Sequence, residues 1–396
     1  MADQELVILG GARTPFGTFG KSLKDIPTND LGAIAAKAAM ERTGVKPEDI
    51  DHVVVGNVIQ SQTDAIYCAR HIALKAGVPI EVPALTVNRL CGSGMQSIVE
   101  ACWQIRAGEA TTVLAGGAEN MSQVPYALRG VRWGQRLGNG EVEDVLMAGL
   151  TDGLCGVPMS GTAENLATQY SISREDQDQF AYESQMKAKD FIESGRHKDE
   201  IVPVEVPGKK GTTLFEIDEH PRFDTTVEAL SKLKPAFGSG TVTAGNASGI
   251  NDAGSAVIVT TAAKAEEMGW TPMARIVSWG IAGVEPRIMG IGPAPAMRQA
   301  LQKAGLSFDD MDLVEVNEAF AAQCIAVQKE CEIDPAKLNV NGGAIAIGHP
   351  LGASGNKLTL NMMYELARRN ARYGIASLCI GGGQGIALVI ENLKRG

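Results

Sequence analysis

The sequence lacks any apolar run of the roughly 20 residues that a membrane-spanning helix requires. It also lacks a dense basic stretch, and its 36 Lys and Arg residues are outnumbered by 46 Asp and Glu residues, for a net charge of −10. These absences argue against a membrane and against nucleic acid as partners. Any anionic ligand would therefore have to be bound by a local patch of cations.

The cysteines and histidines lack the spacing of a disulfide framework or a metal site. The seven cysteines are odd in number and scattered, and no CxxC motif occurs. None of the five histidines is spaced as a helical metal pair. We therefore expect free thiols in a reducing compartment and no metal.

Two regions of the chain share one pattern in the same order. Residues 44–58 and 305–319 each contain a glycine, an acidic cluster and a strand-like apolar run, and each follows an amphipathic helical stretch. Further matches pair 85–94 with 338–348 and 111–120 with 375–385, at a displacement that stays between 253 and 265 residues. This regularity predicts two copies of one α/β unit.

The interval between the copies has a different composition. Turn and charge signals dominate roughly 120–250, apart from one helical run at 174–195, so we predict a lobe inserted after the first copy. Within each copy, strands alternate with helices, which predicts βαβ units whose strand ends face ligands. The predicted domains are an N-terminal half at 1–120 completed by about 245–270, a loop domain at 121–244, and a C-terminal half at 271–396.

Cys91 is the first candidate for chemistry. It lies in NRLCGSG, where an extended segment meets a helix. The unpaired N–H groups and positive dipole at a helix N-terminus favour a thiolate. The alternative is a small buried side chain with no reactivity, which is the fate of most free cysteines.

Three further reactive residues lie in Gly-rich turns of the second copy: His349 in AIGHPLG, Cys379 in SLCIGGG, and Asn317 after LVEV. A pseudo-twofold pairing of the halves would bring these turns together. His349 could then take the proton of Cys91, and Cys379 could act as a second acid and base. Asn317 and the N–H groups of the 381–383 loop could stabilise an oxyanion.

These residues stand in motifs that resemble the thiolase family over essentially the whole chain. The motifs are ARTPFGTFG (12–20), NRLCGSG (88–94), GGAENMS (116–122), GTVTAGNASGINDA (240–253), NEAFA (317–321), GGAIAIGHPLGASG (342–355) and CIGGGQG (379–385). The resemblance implies an α/β fold in which two similar halves form a five-layer αβαβα core with an inserted loop domain. It also implies ping-pong acyl transfer.

The resemblance assigns a role to each reactive residue. Cys91 matches the acylated nucleophile, and His349 matches the residue that activates it. Cys379 matches the acid and base at the α-carbon of acetyl-CoA. Asn317 matches the residue that holds a water in one oxyanion hole with His349, and the N–H groups of Cys91 and Gly381 match the second hole.

Coenzyme A is expected as a substrate and product, with no further cofactor. The positions that resemble its contacts, or contacts of the acyl group, are Met159, Arg222, Leu233, Phe237, Ser248, Gly249, Ala319 and Phe320. Two of them have ordinary alternatives. Phe237 could be a core residue, and Arg222 could be a solvated charge paired with Asp or Glu.

The resemblance is closest to the acetyl-CoA acetyltransferase branch, which condenses two acetyl-CoA into acetoacetyl-CoA and coenzyme A. One position departs from it, because Pro158 stands where that branch usually has His. Proline there resembles the degradative 3-ketoacyl-CoA thiolases of β-oxidation, which is the alternative. A decarboxylating condensing enzyme, a cysteine protease and a non-catalytic acyl-CoA or lipid carrier fit less well, since all four reactive residues are present.

The family also predicts a homotetramer built as a dimer of dimers, with residues 131–144 as the contact between dimers. The segment after Met1 has no basic region or long apolar stretch. The sequence closes with ENLKRG, whose last three residues are not a peroxisomal targeting tripeptide. On these grounds we expect a cytoplasmic protein without a cleaved leader.

Overall fold

The computed structural model describes residues 4–209, 211–236 and 240–394. The strands before the inserted lobe are β1 (Leu6–Arg13), β2 (Gly17–Thr18), β3 (His52–Gly56), β4 (Ala84–Val87) and β5 (Thr112–Asn120). Those of the lobe are β6 (Tyr126–Leu128), β7 (Val142–Asp144), β8 (Thr151–Asp152), β9 (Val157–Pro158), β10 (Val204–Gly208) and β11 (Gly211–Phe215). The remaining strands are β12 (Asn251–Thr261), β13 (Ala274–Gly283), β14 (Leu313–Val316), β15 (Tyr373–Ile380) and β16 (Gln384–Asn392).

The helices follow the same three-part division. The first half has α1 (Thr28–Thr43), α2 (Cys68–Lys75) and α3 (Ser93–Ala107). The lobe has α4 (Val145–Gly149), α5 (Met159–Gln169), α6 (Arg174–Glu193) and α7 (Val227–Ser231). The rest are α8 (Ala262–Met268), α9 (Pro293–Ala304), α10 (Ala321–Cys331), α11 (Ala344–Ile347) and α12 (Leu351–Arg368). Across the described ranges, no helix combines the length and the apolar character that a membrane crossing demands.

The main sheet repeats one topology on either side of its centre. Its order is β14-β15-β16-β13-β1-β12-β5-β3-β4. In the first half, β1, β12 and β5 are antiparallel, and β3 and β4 continue parallel to β5. In the second half, β13, β16 and β15 are antiparallel, and β14 is parallel to β15. The duplication that the sequence predicts is therefore confirmed in the order and direction of the strands.

The helices cover and separate the two halves of the sheet, and three apolar cores fill the spaces between the layers. Alanine-rich α1 and α2 pack on the outer face of the first half. In the centre, α3 and α12 pack between the two halves. On the far side, α9 and α10 pack against the second half. This gives the expected five layers, αβαβα.

The inserted segment leaves the sheet after β5 and returns at β12. Its described residues contain three two-stranded hairpins and the long helix α6. That helix begins where Ser173 and Asp176 form a capping box, and the chain turns away at Gly195, which has a φ of +79°. α5 and α6 pack against α10 and α11 of the second half. We propose that this segment is the loop domain expected at 121–244 between the two halves.

The sheet places the candidate residues at the carboxyl ends of its strands. The Cys91 turn follows β4, Asn317 follows β14, and the 381–383 loop follows β15. His349 precedes α12, which packs against α3 in the central layer. Strand ends from both halves thus meet at one edge of the fold.

Candidate active site

Cys91 lies in a tight turn between β4 and α3. The Gly92 N–H donates to the Arg89 carbonyl at 3.0 Å, and the Ser93 N–H donates to the Leu90 carbonyl at 2.9 Å. Leu90 has a φ of +46°, a left-handed conformation that is uncommon outside glycine. The strained backbone immediately before Cys91 is typical of a functional turn.

Burial keeps the Cys91 sulfur protonated. It raises the pKa of the thiol to about 11, although the N–H groups of Gly381 and of Cys91 itself donate to the sulfur and oppose the shift. The sequence predicted that the end of α3 would favour a thiolate. The structure instead favours the thiol, because the loss of hydration outweighs the two N–H bonds to the sulfur. A base is therefore needed to generate the nucleophile.

His349 is the base that the geometry offers. Its ring is buried, and burial lowers its pKa to about 4, so the imidazole is neutral at pH 7. The Ser354 hydroxyl donates to the Pro350 carbonyl at 2.9 Å, so its oxygen accepts a bond from His349 Nδ1–H at 2.6 Å. This arrangement places the proton on Nδ1 and leaves Nε2 unprotonated, as an acceptor.

The Asn317 amide donates a hydrogen bond to that nitrogen. Its Nδ2 is 3.3 Å from His349 Nε2, and both side chains are buried. The Asn317 N–H donates to the Ser377 carbonyl on β15 at 2.9 Å, which fixes its backbone against the central strand. Cys91 packs against an apolar cluster that includes Leu351, two residues after His349. These contacts bring the His349 loop to the Cys91 turn.

Cys379 is buried on β15, and its sulfur is close enough to the Cys91 sulfur for the two charges to repel each other. Burial raises its pKa above the ordinary range of a thiol, and the neighbouring Cys91 sulfur raises it further. Burial thus moves the pKa of Cys379 away from neutrality. Cys379 therefore rests as a thiol that can donate a proton to a carbanion.

The turn between β15 and β16 carries Gly381. Gly382 and Gly383 have φ values of +78° and +83°, which suit glycine and turn the chain sharply. A side chain at Gly381 would come within 3.4 Å of Leu90 and of Met159. The loop therefore lies between the Cys91 turn and the start of α5.

The segments predicted to contact coenzyme A pack against each other and against Cys379. Ala247 pairs with Phe320 in an isolated antiparallel β-bridge, and the Ser248 N–H donates to the Ala319 carbonyl at 3.0 Å. Ala319 and Cys379 belong to one apolar cluster, against which Met159 and Phe320 pack. Residues 246–249 (NASG) and 317–321 (NEAFA) thus form one wall beside the thiol of Cys379.

A cavity of about 280 Å³ extends this wall into the inserted lobe, and its lining includes Arg222, Leu233 and His220. Gly249 abuts it, because a Cβ there would lie 2.3 Å from His220 Cε1. Within the described ranges, no ion pair involves Arg222, so its cation is available to an anion. Phe237 lies outside the described residues.

Sequence reasoning missed two residues of the site. Ser354 lies one turn into α12, and the signal for it was a hydroxyl five residues after His349 in HPLGASG. Glu119 is a fully buried carboxylate at the end of β5, and the signal for it was a charge at the end of an otherwise apolar strand. Among the residues described, no cluster of three or more His, Cys, Asp or Glu side chains could hold a metal.

Comparison with protein families matches nearly the whole chain. The thiolase N-terminal domain matches residues 6–263, and the thiolase C-terminal domain matches residues 270–392.

Individual relatives are similar over their full lengths. The mitochondrial 3-ketoacyl-CoA thiolase of Bos taurus is 52% identical over 387 residues, which cover 97% of this chain and 98% of the relative. The acetyl-CoA acetyltransferase of Syntrophomonas wolfei is 50% identical over 396 residues, covering 98% and 100%. The crystal structure of human mitochondrial 3-ketoacyl-CoA thiolase in complex with CoA superposes with a TM-score of 0.96 at 52% identity, covering 98% of each chain.

Proposed function

The chain belongs to the thiolase family of acyltransferases, and we propose that it is a 3-ketoacyl-CoA thiolase that accepts a broad range of chain lengths. The acyl-transfer part of this proposal is carried by the closeness of the Cys91 and Cys379 sulfurs, and by the packing of Cys91 against Leu351, two residues after the neutral His349. Two thiols and a base suffice for transfer of an acyl group through a covalent intermediate.

In the first half-reaction, His349 Nε2 takes the proton of Cys91, and the sulfur attacks the 3-keto carbon of the substrate. The bond between C2 and C3 breaks, and its electron pair remains on C2 as the enolate of acetyl-CoA. Cys379 donates a proton to C2 and releases acetyl-CoA. The N–H groups of Cys91 and Gly381 stabilise the oxyanion on the attacked carbon, and Asn317 and protonated His349 stabilise the enolate oxygen.

In the second half-reaction, the thiol of free coenzyme A gives its proton to the Cys379 thiolate and attacks the acyl group on Cys91. The Cys91 sulfur leaves and takes its proton back from His349. The products are a shortened acyl-CoA and the resting enzyme. Each step is reversible, so condensation follows the same path in the opposite direction.

The surroundings of Cys91 support a substrate with an extended acyl chain. Cys91 packs against a cluster of Met121, Leu146 and Leu351, and α5 begins at Met159 after Pro158 rather than after an imidazole. An aliphatic wall suits an alkyl chain and offers no polar contact to a short one. The bovine relative, named as a 3-ketoacyl-CoA thiolase, supports the same choice.

Acetyl-CoA acetyltransferase activity is the second candidate, and it was the first expectation from the sequence. The Syntrophomonas relative of that name, at 50% identity, favours it. Both candidates use the same residues and differ in the length of the acyl chain.

Coenzyme A is proposed to lie along the wall that runs from Cys379 to the cavity of the inserted lobe. The pantetheine arm would pass Ser248 and Gly249, and Arg222 would face a phosphate of coenzyme A. The human structure with CoA at 52% identity supports a ligand of this kind. Arg222 suits it because a guanidinium binds phosphate through paired donors.

We propose a homotetramer in which the β6–β7 hairpin joins dimers, since Trp133 and Leu137 at its tip are largely exposed. The cytoplasmic location expected from the sequence lacks support from the bovine relative, whose name is mitochondrial.

The rates of thiolysis of acetoacetyl-CoA and of a 3-ketoacyl-CoA with a 16-carbon chain, each with free coenzyme A, test the proposal. We expect comparable kcat/KM values, within about tenfold, because extra methylenes are bound by apolar contacts. A preference of more than about 100-fold for acetoacetyl-CoA would support the acetyltransferase instead. Activity on neither substrate would reject both.

A further inference from the structure

A buried carboxylate that does not touch the reacting atoms connects the loops that carry them. Glu119 is the penultimate residue of β5 and has no exposed surface. Its Oε1 accepts bonds from Asn57 Nδ2 at 3.2 Å and from the Ile59 N–H at 3.1 Å. Its Oε2 accepts bonds from the Val58 N–H at 3.1 Å and from the Gly352 N–H at 2.9 Å. These four donors compensate a buried charge that has no cationic partner among the described residues.

One arm of this network leads to His349. Gly352 is the second residue of α12, whose N-cap is Pro350, a residue without a capping side chain. Glu119 therefore supplies the acceptor that the N-terminus of α12 lacks, from the opposite half of the molecule. The same first turn carries Ser354, which holds the imidazole of His349.

The other arm leads to Cys91. The Val58 carbonyl accepts a bond from Asn88 Nδ2 at 2.9 Å. Asn88 Oδ1 in turn accepts a bond from the Leu90 N–H at 2.9 Å. Leu90 is the residue in left-handed conformation that directly precedes Cys91. Glu119, Val58, Asn88 and Leu90 thus form a continuous hydrogen-bonded link to the nucleophile.

The charge of Glu119 does not explain its place in the site. Burial, with a smaller contribution from Asp252 on β12, raises its own pKa to about 7. Its carboxylate raises the pKa of Cys91 and also that of Cys68 on α2. A negative charge that opposes the thiolate works against activation of the nucleophile. What requires explanation is therefore that hydrogen bonds connect this side chain to both loops.

We propose that Glu119 is a positioning residue that holds the Cys91 turn and the His349 end of α12 at a fixed separation across the two halves. The inference rests on the proposed pairing of Cys91 with His349. Small displacements between a nucleophile and its base are costly, of the order of 100-fold in rate for about 1 Å.

The substitution Glu119→Gln separates the positioning role from the effect of the charge. Loss of positioning lowers kcat, whereas loss of the negative charge makes the Cys91 thiol more reactive. The amide keeps the size of the side chain but presents donors to N–H groups and removes the negative charge. We expect kcat for thiolysis to fall about 100-fold with KM changed less than about threefold. We expect alkylation of Cys91 by iodoacetamide, followed by peptide mass spectrometry at fixed pH, to become faster, since the opposing charge is gone.

Asp51→Asn is the control, because Asp51 precedes β3 and binds the start of β5, the strand whose other end carries Glu119. The Asp51 carboxylate also accepts two backbone bonds, from the Thr111 N–H at 2.8 Å and from the Thr112 N–H at 3.1 Å. Among the described residues, its carboxylate bonds go to Thr111 and Thr112 and to neither reactive loop. We expect unchanged kcat and unchanged alkylation of Cys91 in this variant.

Asn88→Ala provides a second test that leaves the buried carboxylate intact, in case Glu119→Gln does not fold. It cuts the arm to Leu90, and we expect kcat to fall about tenfold with the thermal midpoint within a few degrees of wild type. Wild-type kcat in either variant, or an equal loss in Asp51→Asn, would overturn the inference. A wild-type protein without thiolysis would overturn the proposed function, whereas normal thiolysis in the Gln variant would overturn only the role of Glu119.

Discussion

At the scale of single residues, burial sets the resting protonation of the reactive groups. The Cys91 thiol has a pKa raised to about 11, and the His349 imidazole has a pKa lowered to about 4. At pH 7 the pair is thus a neutral thiol and a neutral base. The motifs identified both residues, but they could not give these shifts, because desolvation depends on what packs around a side chain.

His349 is predicted to remain neutral between about pH 5 and 8. The folded pKa lies below the unfolded value of 6.5, so the unfolded chain binds more protons between them. This group therefore contributes stability above about pH 6.5 that is lost as the pH falls towards about 4. NMR of histidine-labelled protein, with His349→Gln to assign the signal, measures the titration. A midpoint between pH 6 and 7 would contradict the account.

Ser354→Ala is predicted to slow acyl transfer by about tenfold with little change in KM. The substitution removes the acceptor for Nδ1–H and lets the proton move to Nε2, which must be unprotonated to act as the base. Steady-state thiolysis measures the effect. Ser354→Thr keeps the hydroxyl and should retain most of the rate, whereas equal losses in both variants would point to packing instead.

At the scale of elements, the β15–β16 turn depends on glycines with different tolerances. Gly382 and Gly383 both have positive φ, but a Cβ at Gly382 meets nothing within 4 Å, whereas one at Gly383 lies 2.3 Å from the Val284 carbonyl. Gly382→Ala should therefore cost about 1 kcal/mol, and Gly383→Ala about 3 kcal/mol or more. Thermal unfolding of the two variants compares them, and equal shifts would show that contact with Val284 does not matter.

Much of the element structure was predictable because each signal is local. The helix predicted at 174–195 is observed as α6 (Arg174–Glu193), and the strand before Asn317 is observed as β14. The packing of α5 and α6 against the second half had no local signal, since it depends on contacts far apart in sequence. The cap of α12 by Glu119 was hidden for the same reason, because its partners are 233 residues apart.

At the scale of the whole molecule, the site exists only where the halves meet. The first half supplies Cys91, and the second supplies His349, Cys379 and Asn317. The halves join where Val7 and Ile8 of β1 pair with β13. The repeat in the sequence predicted this duplication, but the pairing of β1 with β13 had no signal of its own.

The assembly is predicted to depend on the tip of the β6–β7 hairpin. Trp133 is 86% exposed and Leu137 is 94% exposed, which is costly unless another chain covers them. Trp133→Ser combined with Leu137→Ser should convert tetramers to dimers with kcat retained, as measured by light scattering after gel filtration. Leu154→Ser, at 89% exposure outside this hairpin, is the control. A double variant that remains tetrameric would remove the hairpin from the interface.

The central claim is that Cys91 carries the acyl group while Cys379 serves separately as acid and base. Intact-protein mass spectrometry after mixing with acetyl-CoA tests it most directly in wild type, Cys91→Ser and Cys379→Ser, with condensation measured in parallel. The account predicts one acetyl group on wild type and on Cys379→Ser, none on Cys91→Ser, and condensation by wild type alone. Acetylation of Cys91→Ser, or loss of acetylation in Cys379→Ser, would contradict it.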